Sequence, residues 1–475
     1  MKKTIPSVCI ISAIMGTGKT EAAIDYVKGL PADKKIIVAT PYKDEIDRYE
    51  ESTGFKLKQP VNPNDCEGAK MPFFKKLLEQ GHNIVTSHEL LKRCSDEEIE
   101  LINSQGYELI LDESPTCYAK YKPEDIDEPY YKGLPSNTVK MLRAQRKMTA
   151  KQIEDFVSEC TTEDPETHLL YWRKDESGRD VPPGRYVQEQ KLVKQHRLVH
   201  NAYGRLLIIF PVDVLKAFTH IKVMTYMYNN SELRCYLTQF GFESYTNFIS
   251  DKMTFTIDYD ERARPEDEEV INPYRELITV WTPSTNKKKE KHFVGEGECD
   301  LSARYYKQRA TPDDLASVGS DLYNWLNNGF EKPVKKKDFF YSTFKVGYDS
   351  KDRNIWRDVK SKNANKYKKS HVAINERATN EYRECTKVAF LGNIYMDVEV
   401  KRYLVSLGLL SPYDDEINKF DDAFAVSTLV QVVFRSAIRE MKPIDLYLPS
   451  SRMRNLLNSW LNSDYEEWPH DFPYA

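Results

Sequence analysis

The sequence predicts an α/β protein built on parallel sheets, and three observations carry that prediction. Apolar runs ending in polar residues recur at 34–42 (KKIIVATPY), 81–91 (GHNIVTSHELL) and 107–114 (YELILDES). Segments of helical period, EIDRYEESTG and PFFKKLLEQG, lie between them. A strand, a glycine-rich turn and a helix start open the series in SAIMGTGKTEAAI, residues 12–24. Strand–helix alternation of this kind needs crossover connections, and its loops gather on one edge of the sheet.

The opening turn fits AxxGxGKT, with Ala13, Gly16, Thr17, Gly18, Lys19 and Thr20. Glycines let the backbone approach phosphates, a lysine here reaches the β- and γ-phosphates, and the threonine hydroxyl holds Mg²⁺. VCIISA before the turn is strand-like and TEAAIDYVKGL after it is helical, which is the setting a phosphate cradle requires. Such a cradle demands an acid at the end of a neighbouring strand. YELILDES supplies Asp112 to hold the metal and Glu113 to polarise an attacking water. The competing reading of this stretch is a helix N-cap, since Asp and Ser favour that position. The run ends Thr40, Pro41, Thr86, Ser87 and His88 fall on the same edge of the sheet.

Bulk properties narrow the classes. With 475 residues the chain has room for two or three domains, and a net charge of −4 excludes a uniformly basic coat, so any nucleic-acid surface is local. The 8 cysteines are spread singly without a CxxC pair, which fits reduced thiols in a cytoplasmic protein rather than a zinc ribbon or a disulfide framework. The apolar run at the N-terminus leads straight into GTGKT and reads as a core strand, not a signal peptide. No apolar stretch reaches the length of about 18 residues that spans a bilayer.

Taken together, AIMGTGKT, IVATPY, TSHELL and LILDES resemble motifs I, Ia, a following single-strand contact and motif II of the superfamily 2 helicases, the group that includes the DEAD/DEAH-box enzymes. The fourth position of motif II departs from DEAD and DEAH. Residues 205–227, RLLIIFPVDVLKAFTHIKVMTYM, resemble the helix and strand of motif III, with Thr225-Tyr226 in place of Ser/Thr-Ala-Thr. The resemblance implies two RecA-like P-loop NTPase lobes. Lobe 1 then covers residues 1–228 with an insertion at about 115–204, rich in Pro, Tyr and charge. Residues 229–310 form a linker, or a β-hairpin with FTIDYDE (255–261) and RELITVW (275–281) as its arms, and lobe 2 covers 311–475.

In the second half, 314–330 has a helical pattern, and KKDFFYSTFK resembles the strand of motif IV. HVAINERATNEYRE followed by KVAFLGNIYM resembles motif V, which places Arg377, Ala378 and Thr379 on nucleic acid and nucleotide. AVSTLVQVVFRSAIRE, 425–440, resembles the QxxGRxxR of motif VI, with Phe434 in place of the glycine and the second arginine one residue late. Gln431, Arg435 and Arg439 recur every four residues and so predict one helix face. The resemblance gives Gln431 to the nucleotide and one of the two arginines to the γ-phosphate. The last arginine of the motif usually has that role. FYSTFK, RATNEYR, FRSAIR and LYLPSSRMRNLL together resemble proteins assigned as helicases in phages of low-GC Gram-positive bacteria.

From Lys332 to Lys369 the chain carries 13 Lys/Arg against 4 Asp, with Tyr341, Tyr348, Trp356 and Tyr367 interleaved. Lys335, Lys336, Lys337 and Lys345 head this run as candidate phosphate contacts and the aromatics as candidate base-stackers, against the alternative of a solvated loop. The implied activity is an ATP- and Mg²⁺-dependent helicase or translocase in phage replication or recombination, in the bacterial host cytoplasm and away from membranes. Its implied partners are single-stranded or duplex DNA and other replication proteins, with RNA left open. Two alternatives stand beside it: a packaging-type terminase ATPase with carboxylates in the second half, and an ATP-switched nucleic-acid-binding scaffold.

Overall fold

The computed structural model describes residues 5–60, 70–123, 134–247, 267–283, 294–349, 354–356, 359, 364–374, 381–411 and 414–462. Its strands are β1 (Val8–Ser12), β2 (Ile36–Thr40), β3 (Ile84–Ser87), β4 (Glu108–Asp112), β5 (Tyr118–Lys120), β6 (Thr161–Glu163), β7 (Leu170–Trp172) and β8 (Leu198–Asn201). They continue as β9 (Arg205–Ile209), β10 (Ile221–Thr225), β11 (Ser244–Asn247), β12 (Ile278–Trp281), β13 (Phe339–Thr343), β14 (His371–Ala373), β15 (Lys387–Phe390) and β16 (Ile444–Tyr447).

Two parallel sheets dominate. The first has 6 strands in the order β11-β1-β10-β4-β2-β3 and the second 5 in the order β12-β16-β15-β13-β14. Among the described residues every strand pairing within them is parallel. The sequence explains this directly: β2 (IIVAT), β4 (ELILD) and β13 (FFYST) are buried at every position, as strands covered on both faces must be. The α/β class and the two parallel sheets are as the sequence predicts.

The segment after β4 leaves the first sheet to build an insertion, with an antiparallel sheet β5-β9-β8 and a β6–β7 pair. Residues 205–209, read with motif III, are strand β9 of that insertion, so the return to the main sheet begins only at β10.

Of the stretch 229–310, expected as a linker or a hairpin, the described residues contribute a strand to each of the two sheets. β11 pairs with β1 and extends the first sheet, while 275–281 ends the helix Asp267–Leu277 and runs into β12, a parallel edge strand beside β16. RELITVW is therefore half helix and half edge strand of the second sheet, with Ile278 buried and Thr279 and Val280 exposed, and not one continuous hairpin arm. The other proposed arm, 255–261, lies outside the described residues.

The basic stretch also folds differently from its reading. Tyr341, Trp356 and Tyr367 are buried in the core of the second unit, and the Tyr367 hydroxyl donates to the Val334 carbonyl at 2.7 Å. Tyr341 is central in β13, the strand between β15 and β14, so its ring packs in the core and is not presented to a base. The side chain of Tyr348 is outside the described residues.

The two units share apolar cores. Met396, Val400, Tyr403, Leu404, Leu410 and Phe420 from the second half belong to the first sheet's cluster, and Ile14, just before the GTGKT turn, belongs to the second's. Trp460 is 1% exposed in that second cluster and donates its indole N–H to the Tyr226 hydroxyl at 2.7 Å, tying the helix Ser451–Leu461 to the segment after β10. Trp460→Ala is expected to destabilise the protein by roughly 3–5 kcal/mol through the cavity it leaves. Denaturant unfolding would measure the loss, and a change below about 1 kcal/mol would mean the two units do not rely on this packing.

Candidate nucleotide site between the two sheets

Strand β10 sets the geometry of the first sheet's carboxyl edge. It lies between β1 and β4, pairing Ser12 with Thr225 and Asp112 with Met224. The phosphate loop and the acidic loop therefore leave the sheet at one level, two strand spacings or roughly 10 Å apart. The Ala13 N–H donates to the Thr225 carbonyl at 3.1 Å and the Glu113 N–H to the Met224 carbonyl at 3.0 Å. The Thr225 and Ser114 hydroxyls bond each other at 2.7 Å. Thr225 thus ties the start of the phosphate loop to the DES turn.

The loop itself is shaped by two left-handed glycines, Gly16 at φ +87° and Gly18 at φ +90°. Gly18 is the N-cap of α1 (Lys19–Gly29) and offers no side chain to the first-turn amides, so these remain for an anion. Thr17 closes the turn by donating its hydroxyl to the Ile14 carbonyl at 2.8 Å. Lys19 is buried, and its Nζ donates to the carbonyls of Ala13 at 2.5 Å and Ile14 at 3.0 Å. Burial lowers its pKa, while Glu113 and Asp112 nearby pull the other way.

Asp112 is also buried. Its Oδ2 accepts hydrogen bonds from the Thr20 hydroxyl at 3.1 Å and from the Tyr49 phenol at 3.0 Å. Burial, reinforced by the neighbouring Glu113 charge, pushes its carboxyl up to about 7, and the two donors pull it back. A hydroxyl and a carboxylate adjoining on the floor of a cleft are hard oxygen donors of the kind Mg²⁺ takes. Thr20 and Asp112 are the residues that would hold such an ion. Glu113 has φ +69°, a left-handed conformation that costs a non-glycine residue on the order of 1–3 kcal/mol and is characteristic of functional turns.

The second unit supplies the opposite wall of the cleft. A cleft of about 500 Å³ is lined by Gly16, Gly18, Lys19, Thr20, Asp112 and Glu113 from one side and by Gln431, Phe434, Arg435 and Arg439 from the other. The units are in direct contact there: a Cβ added to Gly16 would lie 3.1 Å from Arg439 Cγ. Arg439 is exposed to the cleft, whereas Arg435 is 5% exposed and donates to the Ala373 carbonyl at 3.3 Å.

The two arginines do not share an α-helix face. The helix Asp414–Val433 stops before them, because the N–H groups of Arg435 and Ser436 turn back to the carbonyls of Val432 and Val433. Ser436 then caps the separate short helix Ala437–Glu440 that carries Arg439. Gln431 remains on the long helix.

Other residues at the cleft had no clear signal in the chain. α2 (Lys43–Ser52) brings Glu45 and Arg48, with Arg48 pairing to Glu45 at 3.1 Å and also to Glu21, and carries the buried Tyr49 behind them. The spacing i, i+3, i+4 put these three on one face, but nothing local said what that face meets. Arg383 enters from the turn before β15 and donates to Glu440 at 2.7 Å.

The predicted nucleic-acid contacts are scattered. Thr40 and Thr86 are buried, and the Thr40 hydroxyl donates to the Tyr42 carbonyl at 2.8 Å, so neither presents a side-chain hydroxyl. Ser87 accepts the Leu90 N–H as a helix cap, and His88 is buried against the Ala39 carbonyl. Pro41 lines the same cleft as Lys19 and Arg439. Lys335, Lys336 and Lys337 are exposed at the amino end of β13 and Lys345 is exposed past its carboxyl end, so the length of the strand, roughly 17 Å, separates them. Arg377, Ala378 and Thr379 lie outside the described residues.

Over residues 272–461 the chain matches the family model of the YonV C-terminal Rossmann-like domain. The match begins within the helix Asp267–Leu277 and ends with the helix Ser451–Leu461, the elements flanking the second sheet. The chain is 27% identical over 463 residues to the SPbeta prophage-derived uncharacterized protein YonV of Bacillus subtilis (strain 168), covering 96% of this chain and 98% of that one. Among solved structures it is similar to one called XPD_APO, with TM-score 0.48 and 12% identity over 96% of this chain and 95% of that chain. It is also similar to a structure described as DUF1998 helicase MrfA bound to DNA and AMPPNP, with TM-score 0.34 and 11% identity over 97% of this chain and 48% of that one. Among the described residues no helix is long and apolar enough to cross a membrane. The chain is thus similar along nearly its whole length to a prophage protein, and in its second unit to a Rossmann-like domain.

Proposed function

We propose that this protein is an ATP hydrolase of the superfamily 2 helicase type, which couples closure of the cleft between its two units to movement along nucleic acid. The observation that carries the reading is the contact of Arg439 with Gly16, which brings a cation from the second sheet onto a phosphate loop of the first. Bound Mg²⁺ would neutralise the phosphates from Thr20 and Asp112. Lys19 would exchange its two carbonyl partners for phosphate oxygens, and Glu113 would orient the attacking water. Opening and closing of the cleft then moves the outer loops of the two sheets against each other.

The terminase reading needs a set of free carboxylates in the second half. Asp421 instead accepts the Met396 N–H at 2.6 Å and pairs with Lys401 at 2.6 Å, and Asp422 pairs with Arg452 at 2.6 Å. These carboxylates are occupied in holding the second unit together.

Hydrolysis measured with single-stranded DNA, single-stranded RNA and duplex DNA in separate arms tests the proposal. Stimulation by a single strand, with strand displacement from a tailed duplex, supports a helicase. Hydrolysis indifferent to all three would remove nucleic acid from the account. The exposed lysines give a further expectation. Replacing Lys335, Lys336 and Lys337 together by Ala flattens the salt dependence of single-strand binding by about 0.7 in slope per lost phosphate contact. An unchanged slope assigns these lysines to a solvated turn.

A further inference from the structure

Tyr49 is fully buried, yet it carries a hydroxyl that phenylalanine would do without. That hydroxyl donates to Asp112 Oδ2 at 3.0 Å, across 63 positions of sequence, and the Thr20 hydroxyl donates to the same oxygen at 3.1 Å. The two donors differ in what else is asked of them. Thr20 sits at the start of α1 in the phosphate loop, where its oxygen is wanted by the metal. Tyr49 sits in the second turn of α2, outside the glycine-rich turn, so its phenol has no metal to serve and is left to the carboxylate.

Resting on the nucleotide reading above, we propose that Tyr49 is the positioning residue of the Asp112 carboxylate: its phenol fixes one oxygen and so aims the group at the Mg²⁺ that ATP brings. A carboxylate buried beside Glu113 is otherwise free to rotate or turn away. A donor on a rigid helix removes that freedom. α2 begins immediately after Thr40-Pro41-Tyr42 and also supplies Glu45 and Arg48 to the cleft, so the helix that carries Tyr49 is already part of the site wall.

The test is Tyr49→Phe in the full-length chain, which keeps the ring and removes the donor. Binding of a fluorescent ADP analogue is titrated at increasing Mg²⁺ and again in EDTA, with the thermal midpoint recorded without nucleotide. The expected result is a half-saturating Mg²⁺ concentration raised about 10-fold or more, as for other residues that orient metal ligands, with affinity in EDTA unchanged and the thermal midpoint lowered only by the one lost hydrogen bond. A Mg²⁺ titration that superimposes on that of the wild type overturns the role of Tyr49 while leaving the nucleotide site standing. Parallel losses of affinity in EDTA and of thermal midpoint also overturn it, because they make Tyr49 a packing residue. If the wild-type chain binds no nucleotide under any condition, the nucleotide reading fails and this role with it.

Discussion

Lys19→Ala is expected to reduce ATP hydrolysis by roughly 10²- to 10³-fold or more. Lys19 is the buried cation of the phosphate loop, held over the Ala13 and Ile14 carbonyls and flanked by Asp112 and Glu113. Its burial makes the ammonium costly to keep charged without partners, and a triphosphate supplies stronger partners than two carbonyls. Alanine leaves those carbonyls without their donor, a penalty of about 1–3 kcal/mol that is separated from the catalytic effect by a thermal melt. Turnover at the wild-type rate in a folded Lys19→Ala protein would mean the GTGKT turn is not a phosphate cradle. Glu113→Gln complements it: ATP is still bound, turnover falls, and nucleotide release slows.

Arg439→Ala is expected to lower kcat by roughly 10³-fold while leaving ATP affinity nearly unchanged, as removal of an arginine from a phosphoryl-transfer site does. Of the two candidate arginines, only Arg439 is exposed to the cleft and packed on Gly16, whereas Arg435 is buried with a donor aimed at the Ala373 carbonyl. Arg435→Ala therefore acts through the fold of the turn, with a loss of stability alongside any loss of rate. Arg439→Lys recovers little, because a point charge does not reproduce a planar fork of donors. Single-turnover kinetics on the two alanine variants separates these effects. Full turnover by Arg439→Ala would place the cleft's catalytic cation elsewhere, with Arg383 the next candidate.

What could be read from the chain was what local sequence determines. The strand, the Gly16–Gly18 turn and the helix that follows are contiguous, and β4 ends on Asp112 because an apolar run stops at a charge. Contacts over long separations are legible only through the resemblance, which brings an arginine of 425–440 toward the GTGKT turn; Tyr49 meeting Asp112 has no such signal and follows from the way the parallel crossovers fold. The spacing of the arginine pair suits one helix face, yet Ser436 offers its own backbone-capping hydroxyl and the long helix ends at Val433. The aromatics at 341, 356 and 367 sit among lysines in sequence, and side-chain chemistry alone could not tell that β13 would be an interior strand. RELITVW looked like a hairpin arm for the same reason: short apolar runs do not declare whether their neighbour will be parallel.

The most direct measurement of a shared site is the initial rate of ATP hydrolysis at saturating ATP and Mg²⁺ with single-stranded DNA, recorded side by side for the wild type, Lys19→Ala and Arg439→Ala. One substitution lies in the first unit and the other in the second, and the wild type alone should show DNA-stimulated turnover. Arg439→Ala hydrolysing ATP at the wild-type rate, while Lys19→Ala does not, would contradict the account by showing that the first unit works without the second.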